Sequence, residues 1–144
     1  MISNSAKYAI NAVLYLSFNS DIDHKMSIAE LGNAIEVPKA YLAKLMQELA
    51  RHHLVSSLKG PKGGFYLSEE NKQSHLKEII DLIDGESRLS NCVLGIRTCN
   101  HEKPCPIHHK VHQYKDEFVS DIMHITIEEL AKEIESGNAV LPIN

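Results

Sequence analysis

The sequence predicts a mainly α-helical fold carrying one small β-hairpin, and three observations lead there. Apolar residues recur at i, i+3, i+4 and i+7, most regularly at Leu42, Leu45, Met46 and Leu49, which is the period of one buried helix face. Two short β-prone runs, Val55–Leu58 and Phe65–Leu67, flank Lys59-Gly60-Pro61-Lys62-Gly63-Gly64, where glycine and proline allow a tight reversal. Ser27 with Glu30 and Thr126 with Glu129 form the reciprocal capping box that starts a helix. At 144 residues, 43% apolar and 24% charged, the chain is long enough to bury a core and ordinary for a globular domain.

Taken in order, Ser3-Asn4-Ser5 offers N-cap residues for a helix to about Phe18, with Ala6, Ala9, Ile10, Val13, Leu14 and Ser17 on its buried side. Asn19–Lys25 reads as a polar turn, and Ile28–Ile35 as a short helix. Pro38, suited to a first helical turn, opens the next helix beyond the turn at Glu36-Val37. Its outer face is Ala40, Lys44, Gln47 and Arg51. Two short helices across a sharp turn, followed by a hairpin, make a winged helix-turn-helix. Ser68–Gln73 reads as a polar link, and Ser74 as the cap of a helix through Leu76, Ile79, Ile80, Leu82 and Ile83, stopped by Gly85. Glu86–Pro104 shows no helical or strand period. A helix resumes from about Pro106 to His124, with Ile107, Val111, Tyr114, Phe118, Ile122 and Ile125 as a narrow near-heptad seam, the spacing of helix pairing. A last helix runs to about Glu135, and Gly137–Asn144 reads as a loose tail. The chain thus divides into a winged helix-turn-helix domain (1–85), a cysteine loop (86–105), and a long dimerisation helix with a C-terminal helix (106–144).

Charge narrows the partner. The net charge of −4 argues against a non-specific polyelectrolyte coater of nucleic acid. Residues 1–64 carry +2 and residues 65–144 carry −6, however, and from Val37 to Gly64 five Lys/Arg face one acid. A basic helix face followed by a basic hairpin tip is the pattern of a wing and recognition helix on duplex DNA. Lys39, Ala40, Tyr41 and Lys44 are expected at base edges and nearby phosphates, and Lys59 and Lys62 on a neighbouring groove or backbone. A two-fold dimer on the long helix predicts an inverted-repeat operator. No run is apolar enough to span a membrane, and the N-terminus lacks a secretory pattern, so the cytoplasm is expected. No catalytic triad, phosphate loop or acid pair stands out, so an enzyme is not expected.

Cys92, Cys99 and Cys105 are separated by six and five residues, with His108 three beyond the last. In a reducing compartment these are metal ligands or free thiols rather than a disulfide framework. Thiolates suit zinc, copper(I) and iron–sulfur clusters, and imidazole can complete such a set. The spacing alone leaves a metal site and inert or redox-active thiols equally open. His108, His109 and His112 read either as exposed helix positions or, for His108 and His112 at i and i+4, as a zinc pair.

SAKYAINAVLYLS, the helix-turn-helix, VSSLKGPKGGFYLS and CVLGIRTC-x5-CPIH, taken together, resemble the bacterial winged-helix family of the iron–sulfur regulator IscR and the nitric-oxide-sensing repressor NsrR. The resemblance covers nearly the whole chain in order. It implies a homodimer paired through the long helix, and a loop holding a [2Fe–2S] or [4Fe–4S] cluster, absent in an apo form, whose state controls DNA affinity. Cys92, Cys99 and Cys105 then resemble the cluster cysteines, and His108 the fourth ligand of the IscR branch. The NsrR branch takes an acid from the partner's first helix; Lys7 stands in that place here and cannot serve as a carboxylate. Lys59 replaces the arginine common in the family wing, keeping the charge but losing the bidentate fork for guanine. The expected function is a homodimeric DNA-binding transcriptional regulator sensing redox, nitric oxide or iron–sulfur status. The alternatives are the same regulator using zinc or free thiols, and a small iron–sulfur electron-transfer or carrier protein.

Overall fold

The structure, a computed structural model, describes residues 2–95 and 97–143. Helix α1 (Asn4–Asn19) is the hub on which α3, α5 and α7 pack. Ser3 caps it, accepting from the Ala6 N–H at 3.1 Å, and the Ser3 N–H in turn donates to Asp84 at 2.7 Å. Because neighbours cover α1 on several sides, Ala12 and Leu16 are buried beside the expected Ala6, Ala9, Val13, Leu14 and Ser17, while Ile10 is only half-buried.

Helix α2 (Ile28–Ala34) starts at the expected Ser27/Glu30 capping box, and α3 (Lys39–Arg51) follows Pro38. Leu42, Leu45, Met46 and Leu49 are its buried face, so the helix-turn-helix stands as read. Strands β1 (Ser56–Leu58) and β2 (Gly64–Tyr66) pair antiparallel with Ser57 opposite Phe65. The residue just after the expected polar turn contributes a third arm. Met26 exchanges two backbone hydrogen bonds with Phe65, at 2.8 and 2.7 Å, and so roots the wing on the body. This crowding explains the paired glycines: a Cβ on Gly63 would lie 2.0 Å from the Leu58 carbonyl oxygen, and one on Gly64 2.6 Å from that of Met26.

Ser68–Gln73 is not merely a link. It contains α4 (Glu69–Lys72), one turn closed by a Ser68/Asn71 capping box, too short to show a period. Asn71 is 5% exposed and ties the wing base together. Its Oδ1 accepts from Ser56 Oγ, Ser68 N–H and Ser68 Oγ at 2.7, 3.0 and 2.8 Å, and its Nδ2 donates to the His53 carbonyl at 2.8 Å.

Helix α5 (Leu76–Asp84) is capped at His75 rather than Ser74. The Ser74 carbonyl instead accepts from Ile127 N–H at 3.0 Å, part of a short backbone pairing between the starts of α5 and α7. Gly85 ends α5 with φ 88°, a backbone state glycine adopts without strain. Helix α6 (His108–His124) follows the cysteine loop, and α7 (Ile127–Glu135) buries Ile127 and Ala131, with Ile127 in the main core beside α1. In the tail, Leu141 and Ile143 are half-buried against that core, so these positions are not loose; Asn144 lies outside the described residues.

One member of the expected α6 seam turns inward. Ile122 is 7% exposed because it packs with Ile80 and Leu89 of its own chain, flanked by Phe118 and Val119. The face turned inward is His108, His112, Lys115, Val119 and Ile122, itself spaced four, three, four and three. Tyr114, at the centre of the expected seam, is 72% exposed.

Candidate nucleic-acid interface and cysteine cleft

Opposite its buried face, α3 presents Ala40, Lys44, Gln47 and Arg51 to solvent, with Lys39 exposed at its start. Arg51 is engaged within the helix, its Nη1 2.8 Å from Glu48, so Lys39 and Lys44 are the cations that α3 leaves for a partner. Tyr41 turns toward α1: its hydroxyl hydrogen-bonds Ser5 Oγ and its ring meets Tyr8 edge-on at 5.8 Å. Lys59 and Lys62 are exposed on the wing tip beside Leu58. The expected contact residues therefore occupy two exposed edges of the helix-turn-helix and wing, with Tyr41 the one whose polar atom already has a protein partner.

The cysteine loop has an order of its own that no side-chain period announces. Cys92 N–H donates to the Arg97 carbonyl at 2.7 Å, Gly95 N–H to that of Cys92 at 3.1 Å, and Cys99 N–H to that of Ser90 at 3.1 Å. These bonds curl the chain so that Cys92, Cys99 and Cys105, all half-buried free thiols, line one cleft of about 470 Å³ with Arg97 and Lys103. Hydrogen bonds from the Leu94 N–H and the Cys105 thiol, helped by Gly95 N–H and the charge of Lys115, hold the Cys92 thiol below its ordinary range. N–H···S hydrogen bonds of this kind favour the thiolate and tune iron–sulfur sites.

His108 is the buried member of its histidine run, 2% exposed. Its Nδ1 lies 3.2 Å from Cys99 Sγ, and its Nε2 3.0 Å from Nδ1 of His101. Burial, then the neighbouring His101, His112 and His109, lower its pKa, favouring the neutral ring that can ligate. His112 stacks parallel on His108 at 4.8 Å and bonds back to the His108 carbonyl at 3.0 Å. That arrangement does not aim the two rings at a common ion as the zinc-pair alternative requires. Among the described residues no three His, Cys, Asp or Glu side chains already stand at metal-holding distances. The donor set nonetheless fits an iron–sulfur group: three soft thiols on one cleft, amide donors on one sulfur, and a buried imidazole on another.

The comparisons decide the family. The model of Rrf2, described as an iron-dependent transcriptional regulator, matches residues 2–133. The chain belongs to the Rrf2 family. It is 31% identical over 132 residues, 90% of each chain, to a protein of Aquifex aeolicus that carries the name of an HTH-type transcriptional regulator. It is 26% identical over 129 residues to the regulator IscR of Escherichia coli O1:K1, covering 90% of this chain and 78% of that one. The solved structure of CymR, the global cysteine regulator of Bacillus subtilis, shares the fold with a TM-score of 0.71, at 21% identity over 92% of this chain and 96% of that one. This Rrf2 protein is accordingly a DNA-binding transcriptional regulator and not an enzyme. Among its described residues no helix is long and apolar enough to cross a membrane.

Two residues of the Rrf2 regulator's cleft region escaped sequence reasoning. His101 sits in a stretch without period, and its hydrogen bond to His108 and edge-on ring contacts with His108 and His112 are what mark it. Lys115 is 6% exposed, with Nζ donating to the Ser90 and Asn91 carbonyls, both at 2.7 Å. The signal available for Lys115 was its place in the second four-three repeat of α6, passed over because that repeat begins with histidine and contains lysine.

Proposed function

We propose that this Rrf2 regulator works as a homodimer whose cysteine cleft holds an iron–sulfur cluster and whose DNA affinity follows the state of that cluster. The observation that carries the reading is the convergence of Cys92, Cys99 and Cys105 on one cleft, with buried His108 against Cys99. Those four residues would hold the group, which when bound supplies a centre reactive toward oxidants and nitric oxide. The chain's own part is to order the loop and to join it to α6, through the Cys99–His108 contact. A change in the cleft alters DNA affinity only by the difference in its free energy between two arrangements of the protein. The exposed Tyr114 and Met123 of α6, with the half-buried Val111, are what that helix leaves for a second copy. A two-fold pair would then read an inverted repeat. One observation favours the same regulator acting through bare thiols: Cys92, Cys99 and Cys105 are free thiols that share one cleft.

The visible absorption spectrum of protein purified without oxygen tests the reading. A brown sample containing iron and sulfide, bleached by nitric oxide or oxygen, is expected. A colourless, iron-free protein that resists reconstitution with iron and sulfide contradicts it and leaves the thiol reading.

On the DNA side, Lys39, Ala40, Tyr41 and Lys44 address base edges and nearby phosphates, and Lys59 and Lys62 the backbone or a neighbouring groove. Replacing both Lys59 and Lys62 by alanine should weaken binding to all duplexes alike. The slope of log K against log salt should shrink by about two phosphate contacts, roughly 0.9 each. An unchanged slope in a salt titration would remove the wing from the interface.

A further inference from the structure

We propose that Lys115 is the positioning residue of the cysteine loop and the counter-charge of the thiolate set, the second half resting on the cluster reading above. Its ammonium is buried on the inward face of α6 and reaches two successive carbonyls, those of Ser90 and Asn91, immediately before Cys92. The Ser90 carbonyl also receives the Cys99 N–H at 3.1 Å, and Asn91 forms a bridge with Thr98, the residue before Cys99. One side chain therefore fastens both ends of the segment that presents Cys92 and Cys99.

The chemistry of the position is as telling as its geometry. No carboxylate stands within ion-pair distance of Lys115 among the described residues. Burying an ammonium against neutral carbonyls alone is costly, and the Val119 and Ile122 turns of the same face are apolar. The groups placed to carry a compensating negative charge are the sulfurs of the loop it fastens, Cys92 first, one residue beyond the Asn91 carbonyl that Lys115 holds. Seven residues earlier on the same helix, His108 meets Cys99. Helix α6 thus grips the loop at two points, and loop and helix must move together.

Lys115→Met tests this, with Lys115→Gln as a neutral polar companion and Lys115→Arg as the charge-keeping control. Ser90 is exposed and Asn91 half-buried, so water can take over both carbonyls and the fold should survive. Unaltered amide exchange in α1 and α5 checks that. In metal-free protein, the Cys92 and Cys99 amides of the neutral variants should exchange about tenfold faster by NMR, the scale of one lost charge-assisted hydrogen bond. In protein loaded with iron and sulfide, the midpoint potential should move negative in both neutral variants, because an added electron loses a nearby positive charge, and Lys115→Arg should restore it. Unchanged exchange at Cys92 and Cys99 overturns the positioning role. An unchanged potential in a loaded neutral variant overturns the counter-charge. A wild-type chain that takes up no cluster overturns the counter-charge together with the proposed function, while the exchange measurement still decides the positioning role by itself.

Discussion

Replacing Cys99 by alanine should abolish the visible chromophore and change operator affinity, while leaving far-UV circular dichroism and the thermal midpoint almost untouched. Cys99 is the cysteine with contacts on both sides: its sulfur bonds His108, and its N–H bonds the Ser90 carbonyl that Lys115 holds. Losing the sulfur removes a cluster donor and the link to His108, but keeps the backbone bond. The residue is half-buried and outside both apolar clusters, so the expected stability change is within about 1 kcal/mol. The change in DNA affinity should fall in the usual range of coupling between sites, about 5- to 150-fold. Absorbance, circular dichroism and fluorescence anisotropy on one preparation check all three. Loss of the fold in Cys99→Ala would mean that the loop is a structural clamp rather than a sensor.

Asn71→Ala should be the most damaging single change outside the apolar core. The amide closes four hydrogen bonds that join the α3–β1 turn, the first wing strand and the start of α4. Removing it leaves the His53 carbonyl and the two serines short of partners at a buried point, at a cost of about 2–3 kcal/mol. For a chain of this size that is roughly a 5–10 °C fall in Tm. Asn71→Asp keeps the acceptor side and loses only the bond to His53, so it should fall between the two. Because β1 is rooted there, DNA binding should weaken with wing order, more than Tm alone explains. A Tm within about 1 °C of wild type by calorimetry would contradict this account of the wing base.

Much of the fold was legible because its signals are local. The Leu42/Leu45/Met46/Leu49 stripe, the capping boxes at Ser27 and Thr126 and the Gly85 stop each lie within one or two helical turns. What escaped depends on contacts between distant segments. The α4 turn exists because Asn71 reaches Ser56 and His53, fifteen and eighteen residues away. The wing's third arm depends on Met26 meeting Phe65. Helix α6 offers two faces of near-heptad spacing, and an apolar count selects the one with Tyr114. The protein turns the other inward, because loop carbonyls satisfy Lys115 and Cys99 satisfies His108. At the site, residue type marked the cysteines as possible ligands, while His108 was singled out by the family resemblance. His101 and Lys115 stayed hidden, since a histidine in an irregular loop and a lysine on a helix ordinarily face water.

Whether the cysteine cleft sets DNA affinity is decided by two Kd values measured at one salt concentration. The probe is a duplex selected by the anaerobically purified protein from a random-sequence pool. The protein is used once as loaded with iron and sulfide and once after chelation without oxygen. The Kd values should lie at least about fivefold apart, with the difference lost when Cys92, Cys99 and Cys105 are all replaced by alanine. Equal Kd values for the loaded and stripped protein would contradict control by the cleft.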